Sequence, residues 1–411
     1  MERLRGETLV KLDVTYSAYL ELLKIGIGTS NNTFDFSVLS DEQWNRIVKE
    51  SVHQATTLIC FDSIKNINIK LNDKLYEDWF FKATQVLKRN FAIIQQQKSL
   101  IELLNKHQIP YVILKGTSSA FYYPNSEFRS FGDIDFFVDS INLEQTKKLL
   151  LSDGYVLEED TSPIHFEFSK NNISVELHKT ISGIPDNKYE SDFTNAFKTI
   201  TNDSVLVDGF SKPSDFHHAL VIFLHTLHHL LSNGIGIRHL CDWACFVNKT
   251  SDNSFWGTDL IPHFKRTGTF KFMCGLTLAS VELLNISRPA WCEEVSSDMV
   301  DTIIKEIVSS GNFGNKKTSK NSLLMMGTNS KKSTLFSKIS NMVKALNRTN
   351  HIVCPAIKKA PIIYPFLMLY RIARYLVLMC LGKRPSLAQV SKTANERSAV
   401  FAKYELYMIE D

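Results

Sequence analysis

Asp and Glu are missing altogether between Ile307 and Asn395, a stretch that nevertheless carries 15 of the chain's 47 Lys and Arg. A self-neutralising surface is excluded there, so the C-terminal quarter reads as a basic module on an acidic body. Two explanations stand: an anionic partner, either a membrane surface or a polyanion, or charge matching against the acidic remainder of the chain. Long uncharged hydrophobic runs are missing too. The most apolar segment, Pro361 to Leu381, is interrupted by Arg371, Arg374 and two prolines. That argues against a transmembrane span and leaves a core helix, or an interfacial one whose arginines snorkel toward anionic headgroups. No segment repeats at a solenoid-like period. The opening MERLRGETLVKLDVTYSAYLELL has acidic residues inside its apolar stretch and no small-residue cleavage site. It reads as something other than a secretory signal, and the expected location is cytoplasmic, peripheral to the membrane if the basic region binds one.

Cysteine is scarce. The 7 cysteines (60, 241, 245, 274, 292, 354 and 380) are odd in number and scattered, which fits reduced, buried thiols better than a disulfide framework. Cys241 and Cys245 are one helical turn apart, but no second pair accompanies them, so they read as a packed helix face rather than a zinc site. Glu is absent beside His225 and His229, which share a helical face at i, i+4 spacing; a metalloprotease base is thereby excluded.

What is present is ordinary globular material: 411 residues, 44% hydrophobic and 22% charged, enough for two or three units. Residues 8–107 read as helices: Thr8 to Lys24, Ser40 to Ile64 opened by the cap-like Ser40-Asp41-Glu42-Gln43, and Tyr76 to His107. After Ile109-Pro110 come short β-type runs at Tyr111 to Leu114, Asp133 to Val138, Tyr155 to Leu157, His165 to Ser169 and Ile173 to His178, with a helix from Asn142 to Asp153 among them. Helical spacing returns at Asp215 to Leu231, Ile237 to Val247 and Lys271 to Leu284, and 309–350 reads as a loop or linker with short helices. The expected fold is α+β, a small mixed sheet flanked by helical regions. Its boundaries fall at 1–107, 108–205 (the core), 206–310 (a helical domain completing a cleft) and 311–411.

The chemistry concentrates in Lys115-Gly116-Thr117-Ser118, in Arg129 to Val138, and in Val175-Glu176-Leu177-His178. Side chains two apart on a strand share a face, so Asp133 and Asp135 project together while Ile134 and Phe136 point into the core. On a neighbouring strand Glu176 would bring a third carboxylate to the same rim, and His178 shares its face. Such an oxygen set suits Mg²⁺, which can clamp the attacking and leaving oxygens of an in-line displacement. The turn at Gly116-Thr117-Ser118 offers N–H groups, a hydroxyl and a helix N-terminus to phosphates. Lys115 and Arg129 are either neutralisers of phosphate charge or members of salt bridges. His178 is either an orienter of Glu176 or a strand-end polar residue.

In order, the chain has Lys115-Gly116, Tyr123-Pro124, Arg129, Gly132-Asp133-Ile134-Asp135, Gly154-Tyr155, His165 and Val175-Glu176-Leu177-His178. This set resembles the DNA polymerase β-type nucleotidyltransferase superfamily, and within it a bacterial branch labelled uncharacterised nucleotidyltransferase. The resemblance covers about residues 100 to 250. Its departure is at the turn, where the wider superfamily has Gly-Ser and this chain has Gly116-Thr117.

The resemblance implies transfer of a nucleoside monophosphate from a nucleoside triphosphate to a hydroxyl, phosphate or amine. Mg²⁺, or alternatively Mn²⁺, would be held by Asp133, Asp135 and Glu176, and Glu176 would also help deprotonate the acceptor. It also implies nucleotide or acceptor contacts from His229, Arg238 and Asp242, members of a second cluster with His217, His218, His225, His228 and His239. Those groups read equally as satisfied polar residues packing helix against sheet. Three functions follow in order of preference: a transferase acting on a small-molecule, saccharide or peptide acceptor, a nucleic-acid nucleotide-adding enzyme, and a catalytically silent binding or scaffold protein. The basic C-terminal region favours the second, but the aromatic-basic interleaving of single-strand binders is missing.

Overall fold

The computed structural model describes residues 12–311 except 68, 70, 186 and 233, together with 370 and 402–407. The expected linker at 309–350, the apolar segment Pro361 to Leu381 and almost all of the basic region lie outside the described residues.

Four helices open the chain: α1 (Val14–Gly26), α2 (Asp41–His53), α3 (Thr57–Ser63) and α4 (Asp73–Lys106). The Ser40 start is a capping box. The Gln43 N–H donates to the Ser40 hydroxyl while the Ser40 N–H donates to the Gln43 side chain, a pattern worth about 1 kcal/mol. The single helix expected from Ser40 to Ile64 is broken between α2 and α3, where Ala55 takes φ +54°. No Gly or Pro marks the break. Its cause is tertiary: the Gln54 side chain accepts from the Ile237 N–H at 2.9 Å and donates to Glu50, pinning the chain to a helix far away in sequence.

The mixed sheet follows. Its strands are β1 (Val112–Ile113), β2 (Ile134–Phe137), β3 (Val156–Glu159), β4 (His165–Lys170) and β5 (Ile173–His178), in spatial order β1-β2-β5-β4-β3. Only β2 and β5 pair in parallel. Between strands lie α5 (Thr117–Ala120) and α6 (Leu143–Ser152), and after the sheet α7 (Glu190–Ala196). A hairpin, β6 (Val205–Val207) with β7 (Phe210–Lys212), was not legible as strand in the sequence. The remaining helices are α8 (Asp215–Ser232), α9 (Ile237–Thr250), α10 (Ile261–Arg266), α11 (Phe270–Leu284) and α12 (Ser297–Ser310).

Two cores hold these elements. The larger is shared by α1–α4 and α8–α12, so the helices before and after the sheet bury their apolar faces against one another. Cys241 and Cys245 pack within it as free thiols, as do Cys60, Cys274 and Cys292. The smaller core lies under the sheet: Ile134, Phe136, Val175 and Leu177 meet Ile93, Leu100 and Leu104 from the second half of α4. With the apolar residues of β2 and β5 committed to that core, the alternate residues face the helical domain. Among the described residues no helix is long and apolar enough to cross a membrane.

Candidate active site

Parallel pairing of β2 with β5 puts Asp135 opposite Glu176 and Phe137 opposite His178. Because the period of a strand is two, Asp133, Asp135, Glu176 and His178 share one face. Carboxylate oxygens of Asp133, Asp135 and Glu176 all lie within 4.8 Å of one another. They border a cavity of about 240 Å³, whose other walls include Lys115, Gly116 and Arg129, the His165 and His178 rings, and His225, His228, His229 and Arg238 from α8 and α9.

The three acids are not equivalent. Asp135 is 2% exposed and its Oδ1 accepts from Lys115 Nζ at 2.8 Å and His178 Nε2 at 2.9 Å. Burial alone would raise its pKa, but these two cations outweigh it and hold Asp135 well below the usual carboxylate range. Asp133 behaves oppositely. The Asp135 charge, then burial, pushes it up to about 6.

His178 is locked at both nitrogens. Its Nδ1 lies 3.2 Å from the Thr180 carbonyl, which can only accept, while Nε2 faces Asp135 and, at 3.2 Å, Glu176. Both nitrogens must donate, so the ring is an imidazolium. Burial works against that charge, but hydrogen bonds to Asp135 and Glu176 raise its pKa to about 9. His178 thus contacts both Asp135 and Glu176. His165, a motif residue to which sequence reasoning gave no role, sits 3.1 Å from Glu176 through Nδ1.

Arg129 lines the cavity, yet its guanidinium is committed elsewhere. Nε and Nη2 donate to the two oxygens of Asp242, each at 2.7 Å, and the Tyr123 hydroxyl donates to Asp242 at 2.7 Å. Asp242, expected to contact nucleotide or acceptor, is not part of the cavity wall and holds Arg129 in this structure. Asn90 on α4 fixes the loop that follows, donating to the Glu127 and Arg129 carbonyls and accepting from the Phe131 N–H.

The turn also differs from expectation. Gly116 has φ +63°, a left-handed value that lets the chain leave β1 and enter α5, and it does line the cavity. The hydroxyls do not point there. Thr117 donates to Gln97 at 3.0 Å and Ser118 to the Ile113 carbonyl, and Thr117 lines a separate cavity of about 480 Å³ behind the turn. Buried acceptors on α4 and β1 take both hydroxyls, which leaves the backbone N–H groups of the turn as the groups that the expected phosphate contact would use.

Opposite the sheet, His225 and His229 from α8 meet His239 from α9, with donor nitrogens of all three within 4.8 Å. Their rings lie 4.4 to 5.5 Å apart. Burial, followed by the Lys115 charge at His225, the His239 ring at His229 and the Arg238 charge at His239, holds them neutral; His229 falls to about 2 and His239 to about 3. His217 and His218, by contrast, are buried away from the cavity.

No curated protein matches the chain. A family described as uncharacterised nucleotidyltransferase matches residues 40–285, which include every strand of the five-stranded sheet and the helices α8 and α9 that close the cavity. That match spans more than half of the 411 residues, and the chain accordingly belongs to the uncharacterised nucleotidyltransferase family.

Proposed function

We propose that the chain transfers a nucleoside monophosphate from a nucleoside triphosphate to a hydroxyl, phosphate or amine on a small-molecule, saccharide or peptide acceptor. Family membership supports nucleotidyl transfer in general. The observation that carries the finer reading is the convergence of Asp133, Asp135 and Glu176 on adjoining parallel strands.

The donor set fits a hard divalent cation. All three ligands are oxygens, and the raised pKa of Asp133 reports like charges crowded close enough to need a shared counterion. Asp133, Asp135 and Glu176 would hold Mg²⁺, or Mn²⁺ in its place. Bound there, the ion would neutralise charge developing on the α-phosphate and the departing pyrophosphate.

The chain's own groups supply the rest. Lys115 and Arg238 put positive charge on the cavity wall, where a triphosphate carries its negative charge. Glu176 is half-buried and can take the acceptor's proton, with His178 Nε2 at 3.2 Å to orient it and His165 Nδ1 at 3.1 Å. A new bond joins the acceptor oxygen or nitrogen to the α-phosphorus, the bridging oxygen leaves with pyrophosphate, and the acceptor's proton goes to Glu176. Asp242 and Tyr123 keep Arg129 in place beneath this wall.

The test is incubation of the full chain with each labelled nucleoside triphosphate, Mg²⁺ and a cell lysate, followed by identification of the labelled product. Label transferred with release of pyrophosphate, and lost in Asp133→Asn with Asp135→Asn, supports the reading. Undiminished transfer in that folded double variant, or none with any of the nucleotides, overturns it. Label entering RNA or DNA would instead assign the acceptor as nucleic acid.

A further inference from the structure

Three imidazoles meet on the helical wall with no carboxylate among them. His225 and His229 stand one turn apart on α8, and His239 sits near the start of α9, so two rigid elements fix their spacing. The donor nitrogens are mutually within 4.8 Å, close enough to bind one ion. Nitrogen donors in this number suit borderline dications of the Zn²⁺ and Co²⁺ type and do not suit Mg²⁺. We propose that His225, His229 and His239 form a second metal site, for a transition-metal dication, distinct from the carboxylate site across the cavity.

Three observations support it. Burial, the largest influence on each, holds the imidazoles neutral, the form a metal requires. Lys115 is paired with Asp135 at 2.8 Å and meets Nδ1 of His225 only at 3.4 Å, while Asp242 and Asp133 offset part of the charge on Arg238. The contact from the Gly236 N–H to Nδ1 of His239 is likewise long at 3.4 Å. His225 and His229 also line the catalytic cavity, so an ion held there borders the space that a phosphate or acceptor oxygen would enter. The site does not depend on the transfer reaction proposed above.

The experiment titrates untagged full-length protein with Co²⁺ alone, without nucleotide. It is run on the wild type and on a variant that loses two of the three carboxylate ligands, Asp133→Asn with Glu176→Gln, and keeps the Asp135 that pairs with Lys115. The second protein must still bind one Co²⁺, showing a ligand-field absorption band that Zn²⁺ abolishes and excess Mg²⁺ leaves intact. Three paramagnetically shifted, exchangeable imidazole protons must accompany it, which the two histidines nearest Glu176 cannot supply. His229→Gln with His239→Gln should weaken that binding at least tenfold. Should this variant fail to fold, the three imidazole signals in the carboxylate variant decide the matter. Loss of Co²⁺ binding with the carboxylates, or fewer than three imidazole signals, overturns the proposal.

Discussion

The two walls of the cavity solve the problem of buried charge in opposite ways. On the sheet wall three carboxylates crowd together and are answered by an ammonium and an imidazolium, Lys115 and His178. On the helical wall three imidazoles crowd together and remain neutral. The contrast follows from the elements. A strand delivers like side chains to one rim every second residue, and a parallel neighbour doubles them. A helix returns to the same face only every third or fourth residue, and burial there is deep enough to suppress ionisation. The sheet wall is thus built to hold charge and the helical wall to hold lone pairs and N–H groups.

The strongest break in this comparison is removal of the carboxylates. Asp133→Asn with Asp135→Asn should lower nucleotidyl transfer on the order of a thousandfold or more, since a catalytic metal is worth several kcal/mol of transition-state stabilisation. Rates measured at saturating Mg²⁺ check this. A loss under tenfold would mean that the sheet wall is not the seat of the chemistry.

Stability separates the two aspartates. Asp135→Asn strands Lys115 and His178 without their shared acceptor and should cost about 3–5 kcal/mol, the usual penalty for breaking a buried ion pair from one side. Asp242→Asn should cost a similar amount by stranding Arg129. Asp133→Asn relieves repulsion and should leave metal-free stability unchanged or improved. Urea denaturation of the three variants ranks them, and equal losses for Asp133→Asn and Asp135→Asn would contradict the asymmetry.

Much of the sheet wall was legible because its information is local. Gly132-Asp133-Ile134-Asp135 and Val175-Glu176-Leu177-His178 each alternate polar and apolar residues, and period two says which atoms share a face. Helices with a clear cap or long amphipathic spacing, such as α4 and α8, were legible for the same reason. What escaped was non-local. Arg129 and Asp242 lie 113 positions apart, and nothing in either neighbourhood says that one will spend its fork on the other. The break at Ala55 depends on Ile237 reaching Gln54. The turn at Gly116-Thr117-Ser118 was read as offering N–H groups and a hydroxyl to phosphate, and nothing local says that the two hydroxyls bond to Gln97 and the Ile113 carbonyl. His165 was visible as a motif residue, but its partner Glu176 becomes a neighbour only once β4 and β5 pair.

A pH titration sharpens the contrast further. His178 is raised from 6.5 to about 9, so its contribution is complete below 6.5 and is lost as pH rises through 9, on the order of 3 kcal/mol. Asp133 is raised from 3.8 to about 6, so its ionisation removes stability as pH rises between those values. Asp135 is depressed and works the other way, its contribution fading only as pH falls below 3.8. The buried neutral histidines, His218, His229 and His239 among them, pull the other way below pH 6.5 and outnumber Asp133. Metal-free protein should therefore gain melting temperature from pH 4 to 6, more steeply in Asp133→Asn, and lose it toward pH 9 through His178. Added Mg²⁺ favours ionised Asp133, and its stabilisation should grow as pH rises through 6. A Mg²⁺ effect that is flat from pH 4 to 7 would remove Asp133 from the ligand set.

The smallest expected effect is at the hinge of the sheet wall. Gly116→Ala would force a side chain to take φ +63°, while the nearest atom its Cβ would meet, the Asp133 carbonyl oxygen, is a comfortable 3.9 Å away. The cost is then backbone strain alone, on the order of 1–3 kcal/mol, because ψ −112° takes Gly116 outside the left-handed helical region. Gly183→Ala adds a clash to strain of the same kind, since Gly183 has φ +88° and its Cβ would fall 2.3 Å from the Leu224 carbonyl oxygen on α8 and must push the helical wall outward. Gly116→Ala should melt a few degrees low with the walls still in register, so Mg²⁺-dependent stabilisation survives. Gly183→Ala should lose more stability, because it separates α8 from the loop that follows β5. If the two variants melt alike, strain at the turn has been underestimated relative to packing between the walls.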